Sequence, residues 1–260
     1  MKWKHKLDVN MRMSKYFSFR TSGKKVFFPG CSLASGSPEL VTKTYSHLKA
    51  SDSDLGIWLS CCGMPCKKFV STECHDDSLD KLEEEIRKGG VDEILVACGN
   101  CSKSLGRLKE RLPNLKISSI YSQLKIPEEK KEIAKTYVVH HPCSARSDKS
   151  FRESFTRLSE TMKIPLEKTE KEHPLGCCLV NSDSQKQKVN ALSEKNLITY
   201  CGHCVQKFQK KIPSKHILQI LFDMEGKLKN GSTLVGFRKI KKNIKHSDSS
   251  QKENLKIGEG

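Results

Sequence analysis

Ten of the twelve cysteines in this 260-residue chain fall into one five-cysteine pattern written twice. The first copy is Cys31, the pair Cys61-Cys62, and Cys98-x-x-Cys101; the second is Cys143, Cys177-Cys178 and Cys201-x-x-Cys204. Such a repeat implies two related modules, each organised round a thiol-rich site. The first twenty-five residues are basic but lack the ~7–15-residue apolar stretch of a secretory signal. No run approaches the ~20 apolar residues of a membrane helix. A cytoplasmic protein is expected, and in that reducing setting paired cysteines are more often metal ligands or redox centres than structural disulfides.

The cysteines follow strands. Lys25 to Phe28 reads as a strand delivering Pro29-Gly30-Cys31, Gly56 to Leu59 as one running into Cys61-Cys62-Gly63, and Asp92 to Ala97 as one ending at Cys98. In the second half Thr136 to His140 leads to His141-Pro142-Cys143, and Asn196 to Tyr200 leads to Cys201. Helices are expected over Pro38–Lys49, Leu79–Lys88, Asn100–Arg111, Phe151–Met162 and Asp183–Ser193, with Ile117 to Tyr121 as an edge strand. This alternation predicts an α/β fold of two pseudo-repeated small modules with largely parallel sheets. In such sheets ligands gather outside the carboxyl ends of the strands, so thiols from separate strands are expected to converge there.

The formal charge of +17 is concentrated at the two ends. Residues 1–25 hold eight Lys/Arg against one acid, and residues 206–260 hold thirteen against five. The expected organisation is a basic N-terminal arm over 1–23, a first module over 24–124, a second, degenerate module over 132–222, and a basic, weakly ordered tail over 223–260. Lys125 to Lys131 (KIPEEKK) is the expected linker, and Gly226, Gly231 and Gly236 are expected to break any long helix in the tail. Basic arms suit an acidic partner, but solvated tails explain them as well. Nucleic acid is not the expected partner, because the tails lack interleaved aromatics and no nucleic-acid motif is present.

Five thiols per module exceed the four ligands of a structural zinc or of an ordinary cubane cluster. A CxxC opening a helix gains from the helix dipole, which lowers thiolate pKa. Cys201-Gly202-His203-Cys204 has the letters of a disulfide-isomerase tetrad, yet Cys98-Gly99-Asn100-Cys101 holds the same place in the first copy, and each has three further cysteines upstream. A zinc site closed by any four thiols remains an alternative. Cys66 and Cys74 lie outside the repeat. His140, His141 and His203 flank its cysteines and are candidate proton donors. No GxGxxG, Walker loop or ferredoxin-type CxxCxxCxxxCP occurs.

The phrases FFPGCSL, LSCCGMPCK, LVACGNCSKSL, VVHHPCSAR and ITYCGHC resemble the cysteine-rich CCG domain, found in tandem in the B-type component of heterodisulfide reductase and in iron–sulfur subunits of glycolate, lactate and glycerol-3-phosphate dehydrogenases. The resemblance covers roughly residues 24–222. It implies a non-cubane 4Fe–4S cluster in the first module, held by Cys31, Cys61, Cys62, Cys98 and Cys101. It implies Cys143, Cys177, Cys178, Cys201 and Cys204 as the corresponding ligands in the second module, which is expected to hold a second cluster, a zinc ion or nothing. There the pattern departs: Leu179 replaces the glycine after the pair, and only 22 residues separate Cys178 from Cys201 against 35 between Cys62 and Cys98. The function implied is that of an oxidoreductase component carrying out disulfide/thiol redox chemistry, with electrons from a ferredoxin-like or flavoprotein partner. An electron-relay component of a hydroxy-acid dehydrogenase and a zinc-stabilised binding module are the alternatives.

Overall fold

The computed structural model describes residues 2–167, 182–192 and 194–257, so Cys177, Cys178 and Leu179 lie outside the described residues. After helix α1 (Lys2–Met13) and strand β1 (Phe19–Arg20), the first module runs β2 (Lys25–Phe28), α2 (Cys31–Gly36), α3 (Pro38–Ser51), β3 (Gly56–Leu59), α4 (Met64–Phe69), α5 (Thr72–Gly89), β4 (Glu93–Val96), α6 (Gly99–Leu105) and β5 (Lys116–Ser119). The second runs β6 (Tyr137–His140), α7 (Lys149–Thr161), β7 (Leu166–Glu167), α8 (Ser182–Ala191), β8 (Asn196–Thr199), α9 (Gly202–Phe208), β9 (Ser214–His216) and α10 (Ile217–Leu221). Helix α11 (Thr233–Ile257) follows.

Strands KVFF, GIWL and EILV are apolar runs rather than alternating patterns, as expected where helices cover both faces of a parallel sheet. Local signals set the helix ends. The Ser37 and Ser71 side chains accept the amides of Leu40 and Cys74 to start α3 and α5, and Gly90 ends α5 in the left-handed conformation. The first sheet has the order β1-β3-β2-β4-β5, parallel except for β1, and the second is a parallel sheet of order β7-β6-β8-β9.

The central strand pairs repeat the same register. Phe28 lies opposite Val96 at the end of the β2–β4 ladder, and His140 opposite Thr199 at the end of β6–β8. Cys31 and Cys143 each follow three residues after their strand; Cys98 and Cys201 each follow two after theirs. Equal registers and equal offsets bring each pair of cysteines out at the carboxyl edge of its sheet.

The two modules share a core. Tyr121, Phe151, Phe155 and Tyr200 form an aromatic group between them, with Phe155 stacked on Tyr200 at 4.4 Å between ring centroids. The Tyr121 hydroxyl donates to the Ala97 carbonyl at 2.7 Å and to that of Tyr200 at 3.3 Å. These residues immediately precede Cys98 and Cys201, so one hydroxyl ties the two thiol-bearing strand ends together. Replacing Tyr121 with Phe leaves two buried carbonyls without this donor and is expected to cost about 1–3 kcal/mol, read as a lowered denaturant midpoint at unchanged m.

Both basic ends differ from expectation. The tail forms α11, which packs on α2 and α3 through Phe237, Ile240 and Ile244. Gly236 does not break this helix. A Cβ there would stand 2.2 Å from the Ala34 carbonyl, so glycine is what permits the close crossing of α11 over α2. The N-terminal arm is likewise helical and docks on α4 and α5. No described helix is long and apolar enough to cross a membrane.

Candidate functional site

A cavity of about 460 Å³ opens at the carboxyl edges of both sheets. Cys31, Cys62, Cys98 and Cys101 line it from the first module and Cys143, Cys201 and Cys204 from the second. Seven of the ten thiols expected from the sequence therefore line one cavity, four from the first module and three from the second; Cys61 lies behind it, and Cys177 and Cys178 are outside the described residues. Cys61 is fully buried beside Cys31 and hydrogen-bonds to it. Cys66 and Cys74, which the sequence leaves outside the repeat, are joined as a disulfide, because the turn from α4 into α5 brings their Cα atoms to 5.4 Å.

The modules interlock through glycine. A Cβ on Gly99 would stand 2.8 Å from the Ser144 hydroxyl, and one on Gly202 would stand 3.1 Å from the Leu33 amide nitrogen. Each CxxC helix thus opens against the segment that follows the first cysteine of the other module. This contact explains Gly99 and Gly202 without thioredoxin chemistry: side chains there would push the modules apart.

The sulfurs form a connected array. Cys62 contacts Cys101, Cys101 donates to Cys98, Cys201 donates to Cys98, and Cys204 donates to Cys201. Cys98 is held well below the ordinary thiol range by the hydrogen bonds from Cys101 and Cys201, together with the Cys101 and Asn100 amides at the start of α6. Cys101 is pushed well up by its contacts with Cys62 and Cys98, which it meets as the protonated partner, and by burial. At Cys201 the Cys204 hydrogen bond pulls downward, but the Cys98 contact and burial outweigh it and push the thiol up to about 12. Cys31 is lowered by its hydrogen bond from Cys61 and by Arg12, while Cys61 is raised by donating it and by burial.

The turn after the cysteine pair is built with similar economy of space. Gly63 has φ 76° and ψ −10°, a left-handed conformation, and a Cβ there would lie 2.6 Å from that of Ser78. Behind the turn, an Arg107 N–H points at Nδ1 of His75 at 3.0 Å, which leaves His75 Nε2–H to donate to the Ser104 hydroxyl at 2.6 Å. Ser104 in turn donates to the Cys62 carbonyl. The relay needs neutral His75, whose pKa burial and then the Arg107 charge lower to about 4. An unfolded chain binds that proton near pH 6.5. Stability from this group is therefore full above pH 6.5 and lost as pH falls toward 4, by on the order of 3 kcal/mol. His75→Gln is expected to flatten that part of the stability–pH curve, measured by urea unfolding across the window.

Sequence reasoning missed α1. His5, Asp8 and Arg12 line the cavity, and Val9 is buried in an apolar group with Cys61, Cys66 and Cys74 that also takes in Met13 and Cys31. The signal was present in the row His5-Val9-Met13 and in Asp8-Arg12, both at helical i,i+4 spacing.

The described cysteines are compatible in kind with an iron–sulfur group. All of these donors are soft sulfur, and Gly30 leaves room where a Cβ would meet Cys98 at 3.1 Å and the Cys101 sulfur at 3.3 Å. Among the described residues no three His, Cys, Asp or Glu are grouped as for a single metal ion. A multi-iron cluster instead takes thiolates on separate irons, and the described thiols are arranged around a cavity.

Residues 25–106 match the family described as the cysteine-rich domain, CCG. No curated protein matches the chain significantly. Among solved structures, glutamate racemase from Aquifex pyrophilus is similar at 16% identity and a TM-score of 0.35, covering 80% of this chain and 86% of that one. An aspartate racemase homologue from Pyrococcus horikoshii is 13% identical with a TM-score of 0.32, covering 84% and 98%. Allantoin racemase from Klebsiella pneumoniae is 14% identical with a TM-score of 0.26, covering 77% and 85%.

Proposed function

From the premise that residues 25–106 are a cysteine-rich domain of the CCG family, we propose that the chain is an iron–sulfur redox component of the heterodisulfide reductase B type. The observation that carries this reading is the convergence of thiols from both modules on one cavity at the strand ends. Cys31, Cys61, Cys62, Cys98 and Cys101 would hold a non-cubane 4Fe–4S cluster. Cys143, Cys201 and Cys204, with Cys177 and Cys178, would hold a second cluster or a zinc ion. Such a group, when bound, supplies one-electron steps and stabilises thiolate sulfur.

The chain's own residues set the conditions. Cys62, Cys98 and Cys101 are each less than a tenth exposed, so their sulfurs are reached only through the cavity that they line. The cavity's volume lies in the range of small-molecule sites and has room for a small disulfide facing both modules. Cleaving one S–S bond takes two electrons and two protons and releases two thiols. His203 lines the cavity beside Cys204 and would deliver a proton to a product thiolate. The electrons would come from a ferredoxin-like or flavoprotein partner.

Iron, zinc and acid-labile sulfide in anaerobically purified protein test the proposal. Iron near four or eight per chain with matching sulfide is the expected result. Colourless protein holding zinc and no iron overturns it. Reduced protein that small disulfides fail to reoxidise would instead be an electron relay, of the hydroxy-acid dehydrogenase kind.

A further inference from the structure

We infer that α1 is the cap of the first-module thiol site, with Val9 as its seal and Arg12 as the positive charge held against Cys31 and Cys61. α1 precedes the residues that match the cysteine-rich domain, so it is an addition to that domain. One face of α1 does the docking. His5 stacks on Phe69 at 4.7 Å between ring centroids, Val9 is fully buried, Met13 packs beside it, and Asn10 accepts a hydrogen bond from Lys81 at 3.0 Å. Trp3 and Leu7, on the opposite face, are 64% and 51% exposed. A helix that buries one apolar row against three buried cysteines while leaving a tryptophan in solvent is seated by that row.

Arg12 gives the cap an electrostatic role. Its Nε donates to Asp8 at 3.0 Å, which fixes the guanidinium from the solvent side, and the Arg12 side chain is only 18% exposed. Arg12 and Cys31 line the same cavity, and Val9 and Met13, which flank Arg12 on α1, pack with Cys31 and Cys61, so the guanidinium charge lies close to both sulfurs. A guanidinium stays protonated under all working conditions, so it is a permanent counter-charge to electron-rich sulfur. Asp8 opposes it, and the pair sets the local field at the rim of the cavity. Arg12 lies beside the sulfurs that would bind the group rather than against the group itself, and is therefore a positioning residue.

The seal is independent of the proposed function, whereas the charge role rests on it, and the experiment separates the two. The metal-free, full-length chain is alkylated natively with iodoacetamide and Cys61 is quantified by peptide mass spectrometry. Cys61 is expected to be protected in the wild type. Val9→Asp should speed its labelling roughly tenfold or more, on the scale of the burial a valine contributes, and the milder Val9→Ala should have a smaller effect in the same direction. Equal labelling in all three overturns the cap. In reconstituted protein, adding an electron near a positive charge is favoured. Arg12→Met should therefore shift the reduction potential to more negative values, Arg12→Lys should restore it in part, and Asp8→Asn should shift it to more positive values. Opposite signs from two neighbouring residues are not what a merely structural role produces. Unchanged potentials, or shifts of one sign, overturn the charge role. A wild type that takes up no iron refutes the iron–sulfur reading and the charge role with it, while the labelling still decides the cap.

Discussion

Replacing Cys62 with serine is expected to remove bound iron from the first module while leaving the fold in place. Cys62 is 4% exposed, lines the cavity and contacts Cys101, and its carbonyl is held by Ser104. Serine keeps the size and that backbone contact, so the packing cost is small. It exchanges a soft sulfur donor for a hard hydroxyl oxygen, which a multi-iron cluster does not accept in its place. The measurement is iron and sulfide per chain together with a thermal midpoint. The control is Cys74→Ser, which breaks the disulfide with Cys66 and should leave iron content unchanged because Cys74 lies outside the cavity lining. Equal iron loss in both variants would mean that any disturbance of this region empties the site, and that Cys62 is not a ligand.

Gly63→Ala should have the second largest effect, through the backbone. A left-handed conformation costs an L-residue about 1–2 kcal/mol, and the added methyl would press on Ser78 and on the His75 ring, 2.6 and 3.1 Å away. Both belong to α5, whose docking is shared with the His75–Ser104 relay, so neither yields freely. A total cost of about 3 kcal/mol follows, with a thermal midpoint lowered by roughly 10 °C. If the turn moves instead of the helix, the Cys61-Cys62 thiols move with it, and iron loading falls at a nearly normal midpoint. Calorimetry combined with iron analysis distinguishes the two. Wild-type midpoint and wild-type iron together would show that the glycine of the CCG turn is dispensable. Leu179, standing where the second copy would have that glycine, could then serve equally well.

Much of the first module was legible in the sequence because its signals are local. The apolar run DEILVA and the Gly89-Gly90 stop each act within a few residues, and the strand and the helix end follow them. The start of α5 was not: the helix expected from Leu79 begins at Thr72, behind a Ser71 cap that went unread. The basic ends were misread for the opposite reason. Charge counts describe the exposed face of α1 and α11 and hide the buried rows Val9-Met13 and Phe237-Ile240-Ile244, which become apparent only once a helix and its neighbour are specified. Gly236 was read by its low helix propensity, yet its function in the fold is contact with α2. Arg12 carries no motif, and nothing along the chain links it to Cys31.

The repeated cysteine pattern, the α/β alternation and the placement of thiols at strand ends are properties of the sequence alone, since they depend on short-range spacing and strand periodicity. That the two sets of thiols face one another was decided by tertiary structure. The Tyr121 hydroxyl between the Ala97 and Tyr200 carbonyls, and the close approach of Gly99 and Gly202 to the opposite module, turn two repeats into one site. Such contacts bring together segments far apart along the chain and depend on the absence of a side chain, a condition that spacing along the chain does not encode.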